Sequence, residues 1–567
     1  MIMKGTNKAL NLTIQIFSII LILGLVYTFY KRQITIQGYI STLTVKQLPF
    51  YAMRSLIRMV SAYLLSLLFS FIYGFLAATS KRREAIMLPI LDILQSIPIL
   101  GFFPAAIYFF VSISPTKMLG AEFAAIFLIF TSQAWNIAFS VYESISMIPK
   151  DIEEAYNLFD PEGNLKLFRL YIPATIPKLV YNSILSWTNG WFFLVASEIF
   201  AIGSESYRLP GIGSFILEAA SQNKISLMFL GVLVLAVIIV FLDLFIWKPI
   251  SQWSRKYTYS VSPGEEETKE AWDVVIIFWE AVGNFFKYIF RFIKKINLRP
   301  ALNFNFLKRF WRGKIANIFR KAVLVILLGL VGYLSFIVLK AIPSIVIQLK
   351  FGDFLVSIKA LLYSFLRILV SYIIAFSWTF PFAIFLFRNP KAARFISPVI
   401  QILPSIPAIA FFPLILYFLL PFKGGLNITA IIIILSGMQW YLLFTVYGGL
   451  KTIPDDLQEF TDSFGVRGIT RLKRLLLPAA LPSIMTGTIT AVGGAWNALV
   501  VAEYTTLNNK VYSVTGIGSV LNSSIASNNQ SLFIISLFVM VATVFSMNHF
   551  VYRPLYDKII NRYRMES

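Results

Sequence analysis

Apolar stretches long enough to cross a bilayer alternate with short polar ones along the whole chain. Leu12–Tyr30, Ile225–Trp247 and Ala322–Leu339 are the clearest. Each reaches or approaches the ~20 apolar residues that span ~30 Å of hydrocarbon at ~1.5 Å per residue. In the first half the pattern predicts spans near 11–30, 54–78, 87–113, 121–146, 174–202 and 225–249. The third contains Pro89, Pro98 and Pro104. Proline at membrane depth frees backbone carbonyls, which only protein or a cavity can satisfy, so this span is expected to face inward. The expected fold class is all-α, a polytopic helical membrane protein with about twelve transmembrane helices.

The second half repeats the first. An offset of 305 takes Trp135 to Trp440, Ile148-Pro149 to Ile453-Pro454, Glu154 to Glu459, Pro173 to Pro478, Trp191 to Trp496 and Glu198 to Glu503. It also takes Gly211-Ile212-Gly213-Ser214 to Gly516-Ile517-Gly518-Ser519. Upstream the offset is 309, pairing Arg58 with Arg367, Tyr63 with Tyr372 and Ser96-Ile97-Pro98 with Ser405-Ile406-Pro407. The difference falls in the loop around Ser112–Gly120. Such a register implies a tandem, parallel duplication: repeats at 1–250 and 321–567, joined by a connector at 251–320.

Composition sharpens this without redirecting it. The chain is 57% hydrophobic with a net charge of +23, which invites a nucleic-acid reading. Topology accounts for the charge instead, because Lys and Arg collect in cytoplasmic loops. Lys81-Arg82-Arg83, Lys150 to Arg169, Lys248 to Lys256, Arg388 to Arg394, Arg467 to Arg474 and Arg553 to Arg564 fall on one side. That places both repeated polar loops and both termini in the cytoplasm. In the connector, Asp273, Glu280, Asn284, Lys287, Arg291 and Lys294 form one helical stripe within Trp272–Lys295, which suits an interfacial helix rather than a span. No cysteine and a single histidine, His549, exclude disulfides, ordinary zinc clusters and Cys/His or Ser/His catalysis. No G-x-x-x-x-G-K-[ST] occurs either, so the chain lacks a phosphate-cradling loop for ATP.

The candidate chemistry lies in a loop that occurs twice, at 149–173 and 454–478. Ile152, Ala155, Tyr156 and Phe159 share one helical face, as do Leu457, Phe460 and Phe464. Acidic residues open each helix (Asp151 and Glu153; Asp455 and Asp456), where they complement its dipole. A basic segment follows, and a proline then opens the next span. The loop resembles the EAA loop of ABC-importer permeases. Glu154 and Glu459 hold the glutamate position, Ala155 keeps the alanine where Phe460 does not, and Gly465 keeps the glycine that Asp160 replaces. Asp160 precedes Pro161 and can cap the following helix, so the turn survives with different chemistry, or the change is drift in a redundant loop. The resemblance covers most of both halves. Ser96-x-Pro98, Trp191 to Glu198 and Gly211-Ile212-Gly213, with their counterparts, resemble permeases of the nitrate, sulfonate, taurine and bicarbonate class.

That resemblance implies coupling helices at 150–170 and 454–475 that insert into two P-loop ATPase subunits, an extracellular solute-binding protein, and rocking of the repeats about a central path. ATP and Mg would be used by the partners, with no cofactor, metal or catalytic residue in this chain and no nucleic-acid partner. The solute-binding protein would meet the outer face near Gly211–Asn223 and Gly516–Asn528. Path candidates are Ser96, Pro98, Ser405 and Pro407, where broken helices free polar groups, and Glu198 and Glu503. A carboxylate suits an anion path badly, so Glu198 and Glu503 read first as partners of an arginine or as gate contacts. Arg58 and Arg367 read first as snorkelling side chains, with anion attraction as the alternative. The competing function is a duplicated secondary transporter or channel, and a membrane-embedded enzyme is third.

Overall fold

The computed structural model describes residues 43–159, 166–199, 209–257, 349–507 and 510–563. The first apolar run, residues 258–320 of the connector and the Asp160-Pro161 step lie outside them. From Leu43 to Tyr257 and from Phe351 onward, the described elements belong to one compact unit that contains both repeats.

The first repeat consists of α1 (Leu48–Ala78), α2 (Lys81–Ser96), α3 (Ile99–Ile113), α4 (Lys117–Ser146), α5 (Lys150–Phe159), α6 (Ile172–Ile199), α7 (Ile212–Ser221) and α8 (Ile225–Leu242, continued to Ser254). The second repeats this order as α9 (Phe351–Arg388), α10 (Pro390–Ile402), α11 (Phe412–Leu419), α12 (Gly425–Lys451), α13 (Asp455–Ser463), α14 (Leu477–Ala502), α15 (Ile517–Ala526) and α16 (Gln530–Ser546). Among the described residues, seven helical segments are long and apolar enough to cross a membrane. The expected spans near 54–78, 121–146, 174–202 and 225–249 are helices at those places, whereas 87–113 is two helices. Pro98 has no N–H and drives Ile97 out of the α region (φ −77°, ψ 124°), so α2 ends there and α3 starts afresh. The second copy breaks at Pro407, between 3-10 turns at Leu403–Ser405 and Ala408–Phe411. One element departs from the all-helical expectation. A short antiparallel hairpin, β1 (Tyr504–Leu507) with β2 (Lys510–Ser513), links α14 to α15.

Within each repeat, α1 and α6 pack on α4, and α9 and α14 pack on α12. Water-driven burial cannot pull helices together in lipid, so close approach of small residues must do it. An added Cβ at Gly74 would lie 2.7 Å from Val141 and the Ala138 carbonyl, and one at Gly494 would lie 2.6 Å from the Gly437 carbonyl. Ser70 reinforces the first crossing by donating to the Ala134 carbonyl at 2.8 Å. The repeats then interlock. α3 lies against α14 and α15, the turn at Ala408–Phe411 against α6, and α11 against α7. Phe215 and Ala219 of α7 share a buried cluster with Leu416 of α11. The outward stripes are large and apolar, as in Phe229, Leu233, Val237 and Phe241 of α8 and Leu355, Leu362, Leu366 and Ile373 of α9.

Candidate functional site: repeated loop helices and buried glutamate clips

The repeated polar loops do form short helices. Leu457 and Phe460 of α13 and its C-cap residue Phe464 lie on one face and stay 39%, 59% and 70% exposed, with the Phe460 and Phe464 rings 4.5 Å apart. An apolar face on a short helix with no cover is a surface built to be covered. Glu459 sits beside it, exposed. The helix ends in a Schellman turn, in which Val466 N–H donates to the Thr461 carbonyl (2.9 Å) and Gly465 N–H to that of Asp462 (3.0 Å). Gly465 has φ +67°, a value that disfavours a Cβ. In α5, Glu154 and Ala155 are exposed and Ile152 is half-buried, while Leu158 is 84% exposed. Phe159 is its last residue, and Asp160 lies outside the described residues.

Both helices are clipped to the segment that follows, through the same basic position one turn apart. Lys166 pairs with Glu153 at 2.7 Å, and its counterpart Arg471 pairs with Asp462 at 2.5 Å. Tyr171 also donates to Glu153 (2.6 Å). Hydrogen bonds from Lys166 and Tyr171 hold the Glu153 carboxyl below its usual range.

The second constellation is buried. Glu198, 1% exposed, ends α6 and receives hydrogen bonds from Ser55 (2.7 Å), Arg58 and the Gly213 N–H (2.8 Å). Ser55 in turn accepts from the Ile212 N–H at 2.9 Å. Glu503, also 1% exposed, receives Ser364 (2.7 Å), Arg367 (2.6 Å) and the Gly518 N–H (2.9 Å), and Ser364 accepts from Ile517 N–H (2.8 Å). A carboxylate in a dry site costs several kcal/mol unless it is paired and its lone pairs are filled, and both conditions are met here. The Gly-Ile-Gly motif follows from this. A Cβ at Gly211 or Gly516 would collide with the carboxylate, and the next glycine, second in the helix, supplies the N–H group that donates to it. Each clip thus fastens the start of a short outer helix, α7 or α15, to two long ones.

Arg58 and Arg367 therefore do not snorkel. They are 2% and 9% exposed, because a carboxylate on the neighbouring helix satisfies them inside the protein. Ser55, Ser364 and Glu122 escaped the sequence reading, although Ser55 and Ser364 recur at the same 309 offset as the arginines. The clips also differ. In the first, Glu122 bridges Arg54 (2.5 Å) and Arg58 (2.9 Å). In the second, Asn427 holds the Glu122 position and accepts twice from Arg367 (3.0 and 3.2 Å), while Tyr363 holds the position of Arg54. One charge of each sign has been exchanged together, so both clips are neutral. Ser96 closes α2, Ser405 closes the turn before the second break, and Pro98 and Pro407 are the extended residues from which the next helical turns start.

A twice-repeated helical membrane chain with a short exposed amphipathic helix in each half is a permease-type transport subunit. Residues 66–246 and 368–553, more than half of the chain, match the family described as binding-protein-dependent transport system inner membrane component, and the chain belongs to that family. It is a multi-pass membrane protein. A bicarbonate transport system permease protein of Synechococcus elongatus is 25% identical over 201 residues, 35% of this chain and 68% of the relative. A nitrate import permease protein of Synechocystis is 25% identical over 173 residues, 30% of this chain and 58% of the relative. A Bacillus subtilis permease named for aliphatic sulfonates transport is 24% identical over 206 residues, 36% and 70% of the two chains. Each aligned stretch is about the length of one repeat, and the duplicated chain stands alongside proteins that align over one.

Proposed function

We propose that this chain is the pseudo-dimeric permease, one chain in place of a pair of subunits, of an ATP-driven importer for a small oxyanion of the bicarbonate, nitrate or sulfonate kind. The supporting observation is the pair of exposed short helices, α5 and α13, at equivalent places in parallel repeats. They serve as coupling helices for two separate P-loop ATPase subunits on the cytoplasmic side, through Ile152, Glu154, Ala155 and Phe159 in one copy and Leu457, Glu459, Phe460 and Phe464 in the other. The ATPases bind and hydrolyse MgATP, and this chain holds no cofactor of its own. Their closure moves α5 and α13, and the rigid clips to α6 and α14 pass that motion into the spans, so that the repeats rock and alternate access. A solute-binding protein docks at the opposite face, on α7 and α15, which the glutamate clips hold in place. The names of the relatives and the family's description support the solute class and these partners.

Reconstitution with the two ATPases and the binding protein tests this. Glu459→Lys is expected to abolish solute-stimulated ATP hydrolysis while membrane insertion and complex size stay normal. Full stimulation in that variant, or uptake that follows an ion gradient without ATP, would overturn the proposal.

A further inference from the structure

Three of the faces of α14 are accounted for. Gly487 and Gly494 lie against α12, where an added Cβ would strike Thr445 or the Gly437 carbonyl. Thr488 meets Tyr372 of α9 at 2.8 Å. Trp496 is buried. The remaining face carries Thr486, Thr490, Gly493 and Asn497, spaced by three or four residues over ~16 Å of helix. Thr486, Thr490 and Gly493 are exposed, and a Cβ on Gly493 would meet nothing within 4 Å. The mid-helix exposed stripes of α8 (Phe229, Leu233, Val237, Phe241) and α9 (Leu362, Leu366, Ile373) are large and apolar, as lipid requires. A stripe of two threonines, a glycine and an asparagine does not match them.

The end of this face is occupied by the other repeat. The Asn497 carboxamide oxygen accepts from the Ile99 N–H at 2.7 Å, across 398 positions of chain. Ile99 is the first residue of α3, and its N–H has no partner within the helix. The contact has no twin, because Phe192 stands at the position of Asn497 in α6. The positions of α6 equivalent to Thr486 and Thr490 carry Tyr181 and Leu185, 64% and 49% exposed. The equivalent faces of the two repeats are thus unlike, one polar and one largely aromatic and aliphatic.

We infer that Asn497 is a gate residue: its hydrogen bond to Ile99 closes, from one repeat to the other, a solute path that runs along the exposed polar face of α14. The path is open from Thr486 to Gly493, on the side of the coupling helices, and shut at Asn497. Separating α3 from α14 breaks the bond and frees the Asn497 carboxamide oxygen and the Ile99 N–H for a polar solute, while the Asn497 amide N–H stays on the Gly493 carbonyl at 3.1 Å. This gate rests on the permease reading above and adds the residues that line and close the path.

The chain has no cysteine, so single reporters are clean. Thr486→Cys and Thr490→Cys are made in the reconstituted complex, with Leu233→Cys on the lipid-facing stripe as reference. A membrane-impermeant methanethiosulfonate added on the ATPase side is expected to modify the two threonine positions on the order of tenfold faster than the reference, because only a thiol in water ionises. Asn497→Ala is then expected to let the same reagent reach them from the binding-protein side. Ile99→Pro removes the donor from the other partner and should act alike, since proline is tolerated at a first helical position and Pro98 is already extended. Threonine positions no faster than the reference, or no new access in either gate variant, would overturn the inference. Fast modification of Thr486→Cys and Thr490→Cys in a complex that never couples ATP to uptake would count against the importer reading alone and leave the gate standing.

Discussion

Arg367→Met is the sharpest perturbation of the buried clips. It keeps side-chain volume near constant, removes the charge that faces Glu503 at 2.6 Å, and leaves that carboxylate with the Ser364 hydroxyl and the Gly518 N–H. Glu503 is 1% exposed, so water cannot replace the guanidinium. Breaking a buried pair from one side costs ~3–5 kcal/mol, whereas removing both charges is often close to neutral. Glu503→Gln alone should cost less, because Asn427 still holds Arg367 through two hydrogen bonds. The double variant should cost less than Arg367→Met alone, which requires a coupling energy of about 1–3 kcal/mol. At ~3 kcal/mol the folding equilibrium of the single variant shifts by about a hundredfold. Reversible unfolding in mixed micelles, titrated with denaturing detergent, measures all four members of the cycle. Additivity within ~0.5 kcal/mol would refute the idea that the two charges stabilise each other, and the clip would then be only a set of hydrogen bonds.

Three further outcomes are expected. Arg54→Tyr with Glu122→Asn, which gives the first clip the composition of the second, should leave unfolding within ~1 kcal/mol of the parent, while Glu122→Asn alone strands Arg54 and costs more; the same titration measures both. Gly465→Ala forces a Cβ onto φ +67° and should destabilise the end of α13 by ~1–2 kcal/mol, with Gly465→Asn milder, as read by amide exchange of Phe464 to Val466. The Glu153 clip contributes above the usual carboxyl value of 4.5 and is lost as pH falls through its lowered folded value. Protease protection of α5 should therefore be flat from about pH 5 to about pH 8 and fall only in stronger acid, and Glu153→Gln should remove that fall.

The repeated loop was legible because its signals are local: acidic first turn, apolar face, basic follow-on and flanking prolines. The duplication was legible because its register can be counted. The clips were not, since helical periodicity tells which face Arg58 occupies but not what stands opposite, and Glu122 and Glu198 are 64 and 140 positions away. The available signal was the repeat itself, which keeps an arginine, a serine, a glutamate and a glycine pair at matched positions inside apolar surroundings. The break at Ile97-Pro98 could be read from proline chemistry, but three prolines lay in that span. Only Pro98 ended a helix, while Pro89 and Pro104 stayed within theirs. The hairpin after α14 leaves little trace in the pattern because each strand is only four residues long, although Thr505, Thr506, Val511 and Tyr512 are good strand formers.

The exchange of Arg54 and Glu122 for Tyr363 and Asn427 sets a rule for anyone recombining the two halves. A chimera with its crossover between α1 and α4 would join one repeat's α1 to the other's α4 and leave a single unmatched charge, Arg54 in one product and Glu122 in the reciprocal one. Crossovers before α1 or after α4 carry both residues or neither. The permissible seams in this chain are set by which residues must travel together, and not by where the loops are longest.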